Sequence, residues 1–180
     1  AYGMGREEAL KAITINAAEI LGVSDQIGSI EVGKKANIFV ATFMGSPAMN
    51  VVPATVRMID GTPQAEIELH DGSLVHLPFS QRNLAEWEGR DILFGIRPEA
   101  ITDQDNADRK SNNIAHLSNR VVVTEPAGSD TFVSMHLGGK DVIARMRSDA
   151  EVQAGANFDF AVNMEKAVAF DPKTEARIVP

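Results

Sequence analysis

Apolar side chains recur at helical spacing near the start of the chain. Residues 6–21 place them three or four positions apart, which is the period of an amphipathic helix. Gly22 follows the last apolar position and suits a helix C-cap, because glycine tolerates the left-handed backbone found there. The pattern therefore predicts one N-terminal α-helix, followed after a loop by a short apolar run at residues 38–40.

After the first quarter of the chain, the pattern changes to the period-two alternation of β-strands. Residues 65–69 alternate apolar and polar side chains. Asp71-Gly72 and Gly138-Gly139 each stand between two apolar segments, where they indicate hairpin turns. Closely spaced strands with turns between them predict a sandwich or a barrel. The strand candidates are residues 65–69, 74–77, 92–96, 121–123, 132–137, 142–146, 158–162 and 167–170.

Composition narrows the function classes. The 180 residues carry a formal net charge of -8 and no cysteine. A negative surface disfavours nucleic acid and anionic membranes as partners. Without cysteine there is no disulfide and no thiolate metal site. No apolar run approaches the roughly 20 residues that span a bilayer, so no membrane insertion is expected. The polar stretch at residues 103–113 predicts a surface loop.

Five ordered motifs carry a resemblance to a known family. They read GSPAMN, GIRPE, EPAGSDT, AR and FDP, at residues 45–50, 95–99, 125–131, 144–145 and 170–172. Together they resemble the C-terminal domain, often called TOBE, of ABC importer ATP-binding subunits of the maltose and glycerol-phosphate type. The resemblance implies a mainly β fold, an OB-fold-like antiparallel barrel over residues 45–180. In that family the domain follows the nucleotide-binding domain, helps two subunits to pair and in some members receives regulatory proteins.

A second resemblance covers the start of the chain. The strings EALKAITINAA at residues 8–18 and IGSIEVGK at residues 27–34 resemble the end of an imidazolonepropionase-related amidohydrolase. There the stretch is the last barrel helix and a return strand, although Asn37 stands where that family usually has aspartate. The sequence therefore divides into an amidohydrolase-like segment, residues 1–44, fused to the TOBE-like domain. Residues 36–42 fit both families, as a helix in one and a strand in the other.

Residues 28–34 match part of the sequence pattern of a phosphate-binding loop but lack a residue that such a loop needs. Their glycine and lysine spacing matches, but Lys35 stands where a serine or threonine hydroxyl would hold Mg²⁺. Glu31 would also place a negative charge inside a cradle built for phosphate. A turn before the apolar run at residues 38–40 is the better interpretation.

The four histidines show no metal-ligand spacing. They are His70, His76, His116 and His136, and all lie outside the amidohydrolase-like segment. No pair has the i, i+4 spacing of a helical zinc site. His70 and His76 flank a turn, so they are candidates to approach each other across a hairpin. We expect ordinary strand or surface histidines, no bound cofactor and no catalytic metal.

Two polar strings of the TOBE-like part are candidate dimer or ligand contacts. Arg97 and Glu99 flank Pro98, which suits the first turn of a short helix with Glu99 at its positive end. The plain alternative is a strand exit where Arg97 and Glu99 pair locally. Gly128, Ser129 and Asp130 form the other string, which suits an oxyanion-binding turn or a turn with no ligand.

These observations lead to one functional hypothesis and one alternative. The first is a non-catalytic regulatory and dimerisation domain of a carbohydrate-importing ABC subunit that lacks the nucleotide-binding domain. Its expected partners are a second copy, transporter subunits or a regulatory protein, in the cytoplasm or peripheral to the inner membrane. The alternative is the C-terminal fragment of a metal-dependent amidohydrolase, which would need a missing barrel for hydrolysis.

Overall fold

The computed structural model describes residues 47–179. The predicted helix at residues 6–21, the phosphate-loop-like residues 28–34 and the ambiguous residues 36–42 lie outside these described residues. The amidohydrolase-like segment as a whole does so too.

The described chain forms ten strands and three short 3₁₀ helices. The helices are Arg82–Trp87, Pro98–Ala100 and Met164–Lys166. The strands are β1 (Asn50–Ile59), β2 (Thr62–Glu68), β3 (Leu74–Pro78), β4 (Asp91–Ile96), β5 (Ile101–Asp103), β6 (Ile114–Ala127), β7 (Asp130–Leu137), β8 (Lys140–Arg147), β9 (Asn157–Asn163) and β10 (Val168–Phe170).

The strands make two antiparallel five-stranded sheets. The first has the order β10-β4-β1-β2-β3, and the second has the order β5-β9-β6-β7-β8. Although β5 and β8 are the two ends of the second sheet, they lie against each other. The second sheet is therefore curled, and the OB-fold-like, mainly β class expected from the sequence is confirmed.

Alternating burial explains why these segments become strands. In β7 the side chains of Thr131, Val133, Met135 and Leu137 are buried, while the residues between them are half-buried on the other face. Successive side chains of a strand point to opposite faces, so this alternation buries one apolar row. One connected core joins both sheets, with Phe94 of the first and Phe160 of the second completely buried.

Both predicted hairpins are confirmed. The turn after β2 carries Asp71, whose carboxylate accepts hydrogen bonds from the backbone N–H and the hydroxyl of Ser73 at 3.0 and 2.6 Å. Gly138 and Gly139 join β7 to β8, with Leu137 opposite Lys140. The short strand predicted at residues 121–123 is part of the much longer β6.

Strand β6 belongs to two ladders in succession. Its first half, Ile114 to Arg120, pairs with β9, and its second half pairs with β7. The register shifts between Val121 and Val123, which marks a β-bulge. Bulges bend a strand and increase its twist, so this one turns β6 from one neighbour to the other.

Strand β1 is central in the first sheet, although the sequence pattern does not predict it. It contains Pro53, and proline in the middle of a run argues against a central strand because it cannot donate to the ladder. The structure resolves this conflict, because β1 pairs with β2 only from Thr55 onward. At Pro53 the one paired neighbour among the described strands is β4, through Leu93.

The two sheets meet where the β7–β8 hairpin contacts β1 and β2. The N–H of Gly138 donates to the carbonyl of Glu68 at 2.8 Å, and Leu69 forms an isolated antiparallel bridge with Leu137. Gly138 has φ +58°, and a Cβ at this position would lie 2.9 Å from the carbonyl oxygen of Pro53. Glycine is therefore required both for the backbone conformation and for the close approach.

Asn50 makes a second link between the sheets. Its side-chain Nδ2 donates to the carbonyl of Ile143 at 2.8 Å, and its Oδ1 accepts from the N–H of Ile143 at 2.9 Å. The side-chain amide of Asn50 thus bonds to β8 in the same way as the backbone of a neighbouring strand would. Asn50 is only 8% exposed, so water does not replace these bonds readily.

The last strand, β10, returns to the first sheet. Residues Val168 to Phe170 pair with Leu93 to Gly95 of β4. Phe170 and Val168 pack over Gly95 so closely that a Cβ there would lie 2.8 and 2.9 Å from their side-chain carbons. The first sheet is therefore built from both ends of the described chain.

Candidate functional site

Arg145 on β8 is the centre of a cluster of charged residues. Its Nη2 lies 2.8 Å from Oδ2 of Asp130, at the start of β7. The hydrogen bond from Arg145 holds the pKa of the Asp130 carboxyl below its ordinary value, and the same bond raises the pKa of the guanidinium. Both side chains reach solvent, so this pair contributes little stability and is sensitive to salt.

Glu99 belongs to the same cluster. Pro98 occupies the first position of the short helix Pro98–Ala100, as predicted, and Glu99 lies in its first turn. This helix packs against β8, and the negative charge of Glu99 adds to the rise in the pKa of Arg145. The structure therefore brings Glu99 and Asp130, which belong to separate strings of the sequence, to one arginine.

The other predicted residues lie at the borders of this cluster. Arg97 immediately precedes the short helix, and its carbonyl accepts from the N–H of Ala100 at 2.9 Å. Gly128 and Ser129 form the two-residue turn between β6 and β7, where Ala127 opposes Asp130. The carbonyl of Ser129 accepts from the N–H of Ser148, beyond β8, at 3.1 Å. The carboxylate of Asp130 adjoins this turn, where Arg145 pairs with it.

A polar pocket of about 330 Å³ adjoins Glu99. Thr102, Asn106, Asp108 and Lys166 also line it. One wall is the connection after β5, in the region predicted as a surface loop. The pocket offers both acceptors and one cation, but it is open to solvent.

Buried polar side chains hold that loop in place. The carboxylate of Asp103, 8% exposed, accepts from the backbone N–H of Asn106 at 3.0 Å and from its Nδ2 at 2.9 Å. Asn163, 5% exposed, accepts from the hydroxyl of Ser111 at 2.9 Å. Since buried polar groups need partners, these bonds fix the path of the loop beside the pocket.

His70 and His76, candidates to approach each other across a hairpin, have different neighbours in the structure. His76 on β3 opposes Glu66 on β2, and its Nε2 lies 3.1 Å from the glutamate Oε2. His70 instead lies beside His136 of the second sheet, with ring centroids 5.4 Å apart. The register of the β2–β3 hairpin causes this outcome, because it extends only to Glu68 opposite Leu74.

Two general features of residues 47–179 bear on function. No three histidine, aspartate or glutamate side chains in this range meet in a group able to hold a metal ion. No helix within the same residues has the length and apolar character needed to cross a membrane.

The Arg145–Asp130 contact gives a titration prediction. Replacing Arg145 with alanine should raise the pKa of Asp130 towards its ordinary value, because the hydrogen bond that favours the carboxylate is lost. A depressed carboxyl pKa adds stability above the unfolded pKa and loses it as pH falls through the folded pKa. NMR titration of the Asp130 carboxyl carbon would measure the shift.

Arg57 supplies the matched control for that titration. It lies on β1 of the other sheet and contacts Glu66 at 3.0 Å. Arg57→Ala should therefore leave the pKa of Asp130 where it is. An equal shift in both variants would show that general surface charge, and not the 2.8 Å contact between Arg145 and Asp130, sets the titration.

The fold and the charged cluster together define a β-domain of the OB-fold-like class that presents paired charges at its surface. Comparison with known families agrees: residues 45–101 match the family described as the MalK OB fold domain. The match and the relatives below support a C-terminal OB-fold domain of the kind carried by ATP-binding subunits of MalK-type sugar importers.

Three curated relatives illustrate the similarity. The trehalose/maltose import ATP-binding protein MalK of Thermococcus litoralis is 33% identical over 85% of this chain and 41% of its own length. The sn-glycerol-3-phosphate import ATP-binding protein UgpC of Yersinia pestis is 34% identical over 88% and 41%. The oligosaccharides import ATP-binding protein MsmX of Bacillus subtilis is 31% identical over 79% and 38%. The chain thus spans about two fifths of the length of these relatives.

Among solved structures, the cytoplasmic molybdate-binding protein ModG with molybdate bound aligns with a TM-score of 0.47 and 19% identity. The alignment covers 68% of this chain and 96% of that chain. This likeness is too low to carry an argument about ligands.

Proposed function

We propose that residues 45–180 form a non-catalytic regulatory and dimerisation domain of an ABC importer for carbohydrates or related polyols. The observation that carries the proposal is the similarity to import ATP-binding proteins over most of this chain. The family match at residues 45–101 supports the same assignment. A second copy and the other subunits of a transporter are the partners that this function requires.

The charged cluster is the surface that we assign to the contact with a second copy. Arg145, Asp130 and Glu99 come from three separate segments that the fold brings together. Paired charges at the rim of an interface contribute more to orientation and partner choice than to affinity. Arg97, Gly128 and Ser129 border the cluster and belong to the same proposed surface.

Light scattering of the full chain over a wide concentration range tests the proposal. We expect a reversible two-fold dimer, since closed two-fold pairs are the commonest homo-oligomers. Reversing one charge with Glu99→Lys should weaken the dimer about tenfold, equivalent to about 1.4 kcal/mol, because it places two cations together at the contact.

Glu151→Lys makes the same change of charge at an exposed position and serves as the control. It should leave the dimer constant unchanged. A wild-type chain that stays monomeric at all concentrations would reject the dimerisation role. Equal weakening by both substitutions would reject the assignment of the surface.

A further inference from the structure

Two histidines from different sheets lie side by side where the sheets meet. His70 follows β2 of the first sheet, and His136 lies in β7 of the second. Their ring centroids are 5.4 Å apart, and the ring planes are inclined by 35°. The neighbouring Leu69–Leu137 bridge and the bond from Gly138 to Glu68 hold these two segments together. The position of one imidazole beside the other is therefore set by the backbone on both sides.

Asp141 contacts only one of the two ring nitrogens of His136, so the other is available. The Nδ1 of His136 lies 2.7 Å from Oδ1 of Asp141. A carboxylate at one nitrogen of a histidine fixes the ring and its tautomer, and it makes the other nitrogen a better metal ligand. The ring of His70 makes no hydrogen bond to another residue in the described part of the chain. Each imidazole therefore has at least one ring nitrogen without a protein partner among the described residues.

The surroundings are open to solvent and include acidic residues. A pocket of about 440 Å³ is lined by both histidines and by Glu68. Asp71 follows His70 directly in the chain. Arg120 lines a separate pocket that also includes His70 but not His136. A small cation can therefore enter from solvent and reach the two rings.

We propose that His70 and His136 form a two-histidine binding site for a divalent transition-metal ion, Zn²⁺ in the first instance. Imidazole nitrogen is a preferred ligand for zinc, copper and nickel. Because no three ligating side chains meet among residues 47–179, water completes the coordination. The site is consequently weaker than a structural zinc site with four protein ligands, and it plays no part in catalysis.

A metal ion bound to both histidines would link the two sheets. The ion joins the end of β2 to the C-terminal half of β7 and so connects the two sheets beside the Gly138 contact. A ligand that binds only the folded chain raises its stability by an amount that grows with the ratio of free ligand to its dissociation constant. Zinc should therefore raise the melting temperature of the protein.

Calorimetric titration of the untagged full chain with zinc chloride at about pH 7.5 tests the site alongside thermal melts, because histidine binds zinc only in its unprotonated form. We expect one saturable ion per chain and a rise in melting temperature. His70→Ala and His136→Ala should each weaken binding at least about tenfold, and Asp141→Asn should weaken it by a smaller factor because the amide orients His136 less well. His116→Ala removes an exposed histidine of β6 and should change nothing.

Melts without zinc show whether each variant is folded. If His136→Ala does not fold, His70→Gln provides the test at the other histidine, since glutamine fills similar space without an imidazole. The proposal is overturned if the wild type shows no saturable heat. It is also overturned if His70 variants bind as tightly as the wild type, or if His116→Ala loses as much affinity as His70→Ala.

Discussion

Replacing Gly138 with alanine should lower the free energy of unfolding by about 3 kcal/mol, the sum of a backbone and a packing cost. A left-handed backbone costs a non-glycine residue roughly 1–2 kcal/mol. The added Cβ would also stand 2.9 Å from the carbonyl oxygen of Pro53 and 3.2 Å from Cβ of Val52. Overpacking of this kind typically costs about 1–3 kcal/mol. Urea denaturation followed by circular dichroism would measure the loss.

Gly139→Ala separates the two causes. Gly139 has φ +69°, close to that of Gly138, but no atom lies within 4 Å of the point where its Cβ would stand. It should therefore lose only the backbone contribution, roughly 1–2 kcal/mol. If the two variants lose the same free energy of unfolding, the close contact between Gly138 and β1 adds no cost beyond that of the left-handed backbone.

Replacing Asn50 with alanine should cost about 2 kcal/mol of folding free energy, because two part-buried backbone groups of Ile143 lose their partners. The substitution removes both hydrogen bonds to Ile143 and leaves a backbone N–H and a carbonyl unsatisfied. Each buried group in that state costs roughly 1–3 kcal/mol. Asn50→Asp keeps an acceptor for the N–H but directs a negative charge at the carbonyl, so it should also destabilise the protein. Equilibrium denaturation with a two-state fit gives both values.

Asn112→Ala is the control for Asn50. Asn112 is exposed, and its backbone N–H, not its side chain, bonds to Glu165. Surface substitutions away from special features usually change stability by less than about 0.5 kcal/mol. A loss at Asn50 no larger than at Asn112 would mean that water or a backbone shift satisfies Ile143 once the amide is gone.

Local chemistry makes much of the fold predictable. The hairpins at Asp71-Gly72 and Gly138-Gly139 follow from turn residues between alternating segments, and both are present. Strand β1 is not predictable in the same way. Its Pro53 argues against a central strand, and that objection disappears only because the ladder with β2 ends at Thr55, opposite Glu66. No local pattern in β1 shows where that ladder ends.

The candidate site is also predictable only in part, because some of its contacts follow from a hairpin and others depend on the whole fold. The Gly138-Gly139 turn implies a register that sets Asp130 opposite Arg147, with Arg145 as its diagonal neighbour. The sequence therefore indicates an arginine partner for Asp130, but only the structure shows that it is Arg145. No local pattern brings Glu99 there, because its helix reaches β8 only through the curling of the second sheet. His70 and His136 likewise meet only after both sheets have formed.

The return of β10 to the first sheet has a consequence for biosynthesis. One edge of that sheet stays without its neighbour until residues Val168 to Phe170 have been translated. A nascent chain on the ribosome therefore exposes Gly95 and the adjoining core of β4 while the whole second sheet is being made. Pairings between residues so distant in sequence also slow the search for the native state. Premature termination before Val168 would release a polypeptide with an open, aggregation-prone strand edge.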